Sequence, residues 1–161
     1  MDLLRIIATY PETISDGYGL RYAIYFAGCA HHCPGCHNPE SHDSRRGEPL
    51  TVEWAENICA AIAANPILDG VTLSGGDPLL RPEPMAAFLR LVKERTGQNV
   101  WCYTGYTLEE CLADPARREC LRWIDTLVDG RYVEALRDLS LDFRGSSNQR
   151  IIDIGALKLF G

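Results

Sequence analysis

Three cysteines, Cys29, Cys33 and Cys36, stand at C-x3-C-x2-C spacing in the stretch Gly-Cys-Ala-His-His-Cys-Pro-Gly-Cys-His-Asn, and His31, His32 and His37 stand among them. One loop can turn three thiolates at this spacing onto a single metal centre. Three ligands are not four: a structural zinc closes its tetrahedron with four protein donors, whereas a reactive centre keeps a position open. Four chemistries compete for the loop. Buried thiols acting as small hydrophobes are disfavoured by the crowding of cysteines beside histidines and glycines. Covalent haem would use Cys33-Pro34-Gly35-Cys36-His37, a C-x-x-C-H match, but it belongs with an export signal and leaves Cys29 idle. Zinc would need His31, His32 or His42 as its fourth ligand, because His37 directly follows Cys36 and converges poorly with it. A 4Fe-4S cluster with one iron unligated by protein uses all three cysteines.

A second loop, Ser74-Gly75-Gly76-Asp77-Pro78, carries two glycines that allow the backbone to approach a ligand closely, although a tight turn is the plainer reading. Cys59, Cys102, Cys111 and Cys120 are too dispersed for a second cluster and read as core residues.

Both loops need elements to hold them. Residues 3–9 form a β-branched run that reads as a short strand, followed by a turn at 15–19. Residues 21–28 read as a buried strand that delivers the chain into the cysteine loop, which extends without regular structure to about Gly47. Thr51 is the expected N-cap of a helix to about Asn65, with Glu53 and Glu56 early and Trp54, Ile58 and Ile62 on its apolar face. A strand at 70–73 feeds the glycine loop, a helix spans 85–95, and a strand at 99–103 exits through Thr104-Gly105. Helix at 108–124 breaks around Asp114-Pro115. Thr126 to Val128 is a brief strand stopped by Asp129-Gly130, which reads as a plain turn. Residues 144–149 form a polar turn before a last strand at 151–154. Alternation of strands and helices predicts a parallel sheet with right-handed crossovers, and both loops fall on the edge where such sheets gather ligands. A closed eight-unit barrel takes about 250 residues, so the expected fold is α/β, an open partial (βα) barrel of parallel strands with a short N-terminal strand.

The 161 residues are sized for one domain, and no apolar run approaches the length of a membrane span. With 22 acidic against 16 basic residues the net charge is −6, which argues against nucleic-acid binding and favours a protein or small-molecule partner. Seven cysteines without a secretory leader predict reduced thiols and a cytoplasmic protein, with neither a disulfide framework nor a membrane anchor.

The cysteine loop after a strand, joined to a glycine-rich loop after the next, resembles the radical S-adenosylmethionine enzymes. Gly17-Tyr18-Gly19-Leu20-Arg21, Phe26-Ala27-Gly28-Cys29, Thr104-Gly105-Tyr106, Leu127-Val128-Asp129-Gly130 and Arg144-Gly145-Ser146-Ser147-Asn148-Gln149 extend that likeness to the activases of glycyl-radical enzymes. The resemblance implies a single radical S-adenosylmethionine domain over 1–161, with a 4Fe-4S cluster on Cys29, Cys33 and Cys36. It implies S-adenosylmethionine as cosubstrate, chelating the free iron and contacting Gly35, Cys36, His37, Gly75 and Gly76, with Asp77 or nearby carbonyls receiving the methionine ammonium. The implied protein substrate is the anaerobic ribonucleoside-triphosphate reductase, and the implied electron donor a flavodoxin or ferredoxin. Pyruvate formate-lyase is the alternative target, and a zinc-binding interaction module the alternative class. The wider superfamily tends to carry an aromatic residue just before the third cysteine, where this chain has Gly35.

Overall fold

Seven strands join in one mixed sheet among the described residues, which are 1–37 and 39–160 of the computed structural model; Asn38, at the end of the cysteine stretch, and Gly161 lie outside them. The strands are β1 (Arg5–Thr13), β2 (Arg21–Phe26), β3 (Glu48–Pro49), β4 (Gly70–Gly75), β5 (Val100–Tyr103), β6 (Thr126–Asp129) and β7 (Arg150–Asp153), in the order β3-β1-β2-β4-β5-β6-β7. β2, β4, β5 and β6 run parallel, as the alternating pattern predicts. The flanks correct that prediction, because β1 is antiparallel to β2, β3 to β1 and β7 to β6. The physical reason lies in the connections. A parallel neighbour needs a crossover, usually a helix. β1 instead turns straight back into β2, and after β6 the chain loops at the same end of the sheet and re-enters opposite Asp129, which pairs with Arg150. Pro11 sits inside β1 without disrupting the sheet, since β3 covers the outer edge of β1 only at Arg5 and Ile6.

Helices α1 (Val52–Ala63), α2 (Pro82–Thr96), α3 (Leu108–Ala113) and α4 (Pro115–Leu121) fill the parallel crossovers, and right-handed connections in one direction place them all on one face. Side-chain alternation follows. Ile24, Phe26, Leu73, Cys102 and Leu127 join Ile58, Ile62, Phe88, Leu89, Val92 and Leu121 in the helix-side core. The intervening residues Tyr25, Thr72, Trp101 and Val128 face the other way.

Local chemistry sets the helix ends. Thr51 Oγ1 accepts the Trp54 N–H at 3.1 Å, so α1 starts where the sequence predicts. Thr107 and Glu110 form a capping box on α3. The break between α3 and α4 is a cap: Asp114 Oδ1 accepts the Ala116 N–H at 3.2 Å, and Pro115 occupies the first position of α4, where a missing N–H costs nothing.

Arg21 locks the far end of the parallel strands. Only 3 % exposed, it donates to Thr72 Oγ1, Tyr18 O, Val71 O, Asn99 O and Asn99 Oδ1 at 2.7 to 3.1 Å. Burial lowers its pKa from the ordinary arginine value, opposed by the fields of Asp69 and Asp125. No helix of the described residues is long and apolar enough to cross a membrane.

Removing the guanidinium strands several buried acceptors, so Arg21→Leu is expected to cost about 3 kcal/mol, whereas loss of the α1 cap in Thr51→Ala costs about 1 kcal/mol. Urea unfolding curves rank the two; equal stabilities would remove Arg21 from its anchoring role.

Candidate functional site

β2 and β4 are paired in register up to Phe26 opposite Gly75, so the cysteine loop and the glycine loop leave the sheet side by side. Backbone bonds stitch them together. Gly76 N–H donates to Phe26 O at 2.8 Å, Asp77 N–H to Gly28 O at 2.7 Å, and Gly28 N–H to Ser41 O at 2.7 Å. The two loop glycines are required by this contact. Gly75 has φ +107°, and a Cβ there would overlap the Phe26 backbone; a Cβ on Gly76 would overlap Gly28 O and stand 2.7 Å from Ser41 O. Close approach is the reason the sequence offers for these glycines, and the approaching group here is the neighbouring strand end.

Asp77 sits elsewhere than the sequence reading implies. It is 2 % exposed and does not line the cleft. Its Oδ1 accepts the Leu79 N–H at 2.9 Å and its Oδ2 the Gly105 N–H at 2.9 Å, while Thr104 Oγ1 lies 2.9 and 3.1 Å from the two oxygens. His31 Nε2 completes the set at 2.6 Å from Oδ2. The Leu79 and Gly105 N–H groups and the one Thr104 hydroxyl proton, with the His31 ring against Oδ2, tie the carboxylate to the loops that follow β2, β4 and β5. It faces these groups rather than the cleft.

The loops enclose a cleft of about 360 Å³ whose walls include Cys29, Cys33, Cys36, His37, Gly75 and Gly76. All three thiols are half-buried and free. Cys36 N–H bonds Cys33 O at 3.1 Å, which closes a tight turn between the second and third thiols. Burial pushes the Cys29 thiol up, and hydrogen bonds from the His31 and His32 backbone N–H groups pull it back down. Among the described residues, no three His, Cys, Asp or Glu side chains are gathered as ligands of one metal ion. Thiolates on a multi-iron cluster each serve a different iron and need only face a common space, as these three do. Gly35 is not in the wall; its backbone lies beneath Glu134 and Tyr132.

The opposite wall is a strap, residues 131–149, that the sequence pattern left without a role. Tyr132, Phe143, Arg144, Gly145 and Gln149 line the cleft from it, beside Tyr103, Thr104 and Gly105 at the end of β5. The polar turn expected at 144–149 is present: Gln149 Oε1 accepts the Gly145 and Ser146 N–H groups at 2.9 and 3.1 Å, and its Nε2 donates to Gly130 O at 3.0 Å. That turn is also a wall of the cleft. Asp129 is not; its buried carboxylate accepts the Leu108 N–H at the start of α3 at 2.7 Å and pairs with Arg150. Arg144 is the one arginine or lysine among the lining residues, and its Nε is buried without a partner. The sequence signals for this wall were the run of turn residues around it and the likeness of residues 144–149 to a family motif. Tyr132 itself belongs to no periodic pattern.

The four remaining cysteines are core residues, as expected. Burial pushes Cys59 up to about 11 and Cys111 and Cys120 up to about 12, and Cys102 well above the ordinary thiol value. In iron-free native protein at pH 8, a thiol-specific chromogenic disulfide should therefore titrate Cys29, Cys33 and Cys36 fast and the other four only after unfolding. More than three fast thiols would contradict this division.

A family model described as a 4Fe-4S single cluster domain matches residues 15–152. The anaerobic ribonucleoside-triphosphate reductase-activating protein of Salmonella typhi is 40% identical over 144 residues, covering 87% of this chain and 92% of that one. Its counterpart from Escherichia coli (strain K12) is 39% identical over 145 residues with the same coverage. The protein of that name from Enterobacteria phage T4 is 33% identical over 145 residues, 88% of this chain and 89% of that one. The domain match spans the cysteine loop, the glycine loop and the strap alike, and supports an iron–sulfur cofactor. By these likenesses the chain belongs to the family of anaerobic ribonucleoside-triphosphate reductase-activating proteins.

Proposed function

We propose that the chain is a radical S-adenosylmethionine oxidoreductase that generates a glycyl radical on an anaerobic ribonucleoside-triphosphate reductase. The observation that carries the reading is the meeting of three free thiols from one loop with a glycine-built wall from the next, in a cleft at the carboxyl ends of parallel strands. When bound, a 4Fe-4S cluster supplies the single electron that splits S-adenosylmethionine into methionine and a 5′-deoxyadenosyl radical, which takes the α-hydrogen of one glycine and leaves 5′-deoxyadenosine.

Cys29, Cys33 and Cys36 are the residues that would hold the cluster. The backbone N–H donors at Cys29 suit a thiolate ligand, since hydrogen bonds to the sulfur are one of the means by which a protein adjusts such centres. The backbone of Cys36 and His37, with Gly75 and Gly76, forms the contact surface for the cosubstrate. Arg144 adds the countercharge for its carboxylate, because it is the one arginine or lysine among the residues lining the cleft. Asp77 acts through the loops it ties and touches no ligand. No side chain need serve as a general base, since a hydrogen atom, not a proton, leaves the glycine.

The parallel core reads as the open partial barrel of this chemistry, one domain over 1–161, and its open mouth suits a substrate as bulky as a protein loop. Reduced thiols and an anaerobic partner fit a cytoplasmic setting with a flavodoxin or ferredoxin as donor.

Electron paramagnetic resonance on anaerobically reconstituted, reduced protein tests the proposal. A reduced-cluster signal that changes on adding S-adenosylmethionine and disappears in Cys33→Ala is the expected result. One zinc per chain, with no such signal, would overturn it. Arg144→Gln should keep the cluster signal and weaken cosubstrate binding roughly tenfold, the scale of one lost charge-assisted hydrogen bond.

A further inference from the structure

Position 35 has no side chain, yet an aromatic ring stands over it. Tyr132, half-buried in the strap, lies in a slot between two glycines: a Cβ on Gly35 would come within 3.2 Å of its Cε1, and a Cβ on Gly145 within 2.9 Å of its Cδ2. A side chain at position 145 would displace the ring, and one at position 35 would press on its edge. Desolvation and the Glu134 carboxylate, itself pressed against Gly35, raise the pKa of the Tyr132 hydroxyl. The His37 ring meets it edge-on, with centroids 5.4 Å apart. Tyr132 is thus fixed by contacts on both sides and at its tip, beside Cys36 and His37, while still lining the cleft. The other large rings there are committed elsewhere: Tyr103 and Phe143 pack on Trp101 with centroids 6.3 and 5.5 Å away.

A flat heteroaromatic base binds proteins chiefly by stacking on such rings. Resting on the cosubstrate reading above, we infer that Tyr132 is the residue against which the adenine of S-adenosylmethionine stacks, so that the strap supplies the aromatic surface that the cysteine loop lacks. At Gly145 the ring occupies the space of a side chain, while at Gly35 the Glu134 carboxylate and a φ of +75° demand glycine, with the ring edge beside it. The strap is then a binding element, and the adenosyl end of the cosubstrate is held jointly by two segments distant in sequence.

The test titrates S-adenosylmethionine into reduced, reconstituted wild-type, Tyr132→Phe and Tyr132→Leu proteins, reading the cluster's paramagnetic signal, with L-methionine as the adenine-free probe. Leucine keeps bulk in the slot without a π face. Cosubstrate binding should persist in the Phe variant and weaken about tenfold or more in the Leu variant, with the response to methionine unchanged in both. Leu binding as tightly as wild type overturns the assignment of Tyr132 alone. Equal weakening in both variants also overturns it, since the hydroxyl and not the ring would then matter. A wild-type signal indifferent to S-adenosylmethionine overturns the cosubstrate reading, and this inference with it. Iron content of each variant, measured beforehand, shows whether the slot still supports the loop.

Discussion

A single buried carboxylate organises the carboxyl edge of this sheet. Burying an anion is costly unless donors replace the lost water, and Asp77 obtains them from three different loops: His31 after β2, Leu79 after β4, and Thr104 with Gly105 after β5. The penalty for leaving any donor unpaired makes the three loops one unit. The cleft is therefore shaped by a polar network, while apolar packing is concentrated on the helix side of the sheet. Arg21 does the converse at the other end, a buried cation held entirely by neutral oxygens. Two opposite charges, each held by several hydrogen bonds, brace the two ends of the parallel strands.

What the sequence made legible was local. Thr51 and Asp114-Pro115 act within a turn of the helices they bound, so their effects can be read without knowing the fold. The cysteine spacing is legible for the same reason, since all three thiols lie on one loop. Strand direction was not local. The alternation of strands and helices encodes the crossovers that make β2, β4, β5 and β6 parallel, but β1 and β7 lack crossover helices, and the direction of a strand without one depends on where its connection lies in space.

The site residues divide along the same line. Gly75 and Gly76 were recognisable as places of close approach, though which group approaches them is set by the pairing of β2 with β4. Asp77 was offered, with nearby carbonyls, as the ammonium's partner only through the family resemblance; its burial under Thr104 and His31 comes from residues that the chain brings together only on folding. Tyr132 carries no local signal at all. Its neighbours Gly35 and Gly145 lie far off on either side in the sequence, and only the strap's return across the sheet edge joins them.

That return has a consequence for the order in which the chain can mature. The cysteine loop is synthesised early, but Glu134 and Tyr132, which lie over Gly35, follow by roughly a hundred residues, which at ribosomal rates of about 5–20 residues per second amounts to several seconds of translation. Throughout that interval the three thiols exist without their opposite wall, exposed to oxygen and to stray metal ions. A metal centre placed on the cysteine loop before the strap arrives would therefore lack the wall that Tyr132, Phe143 and Arg144 supply.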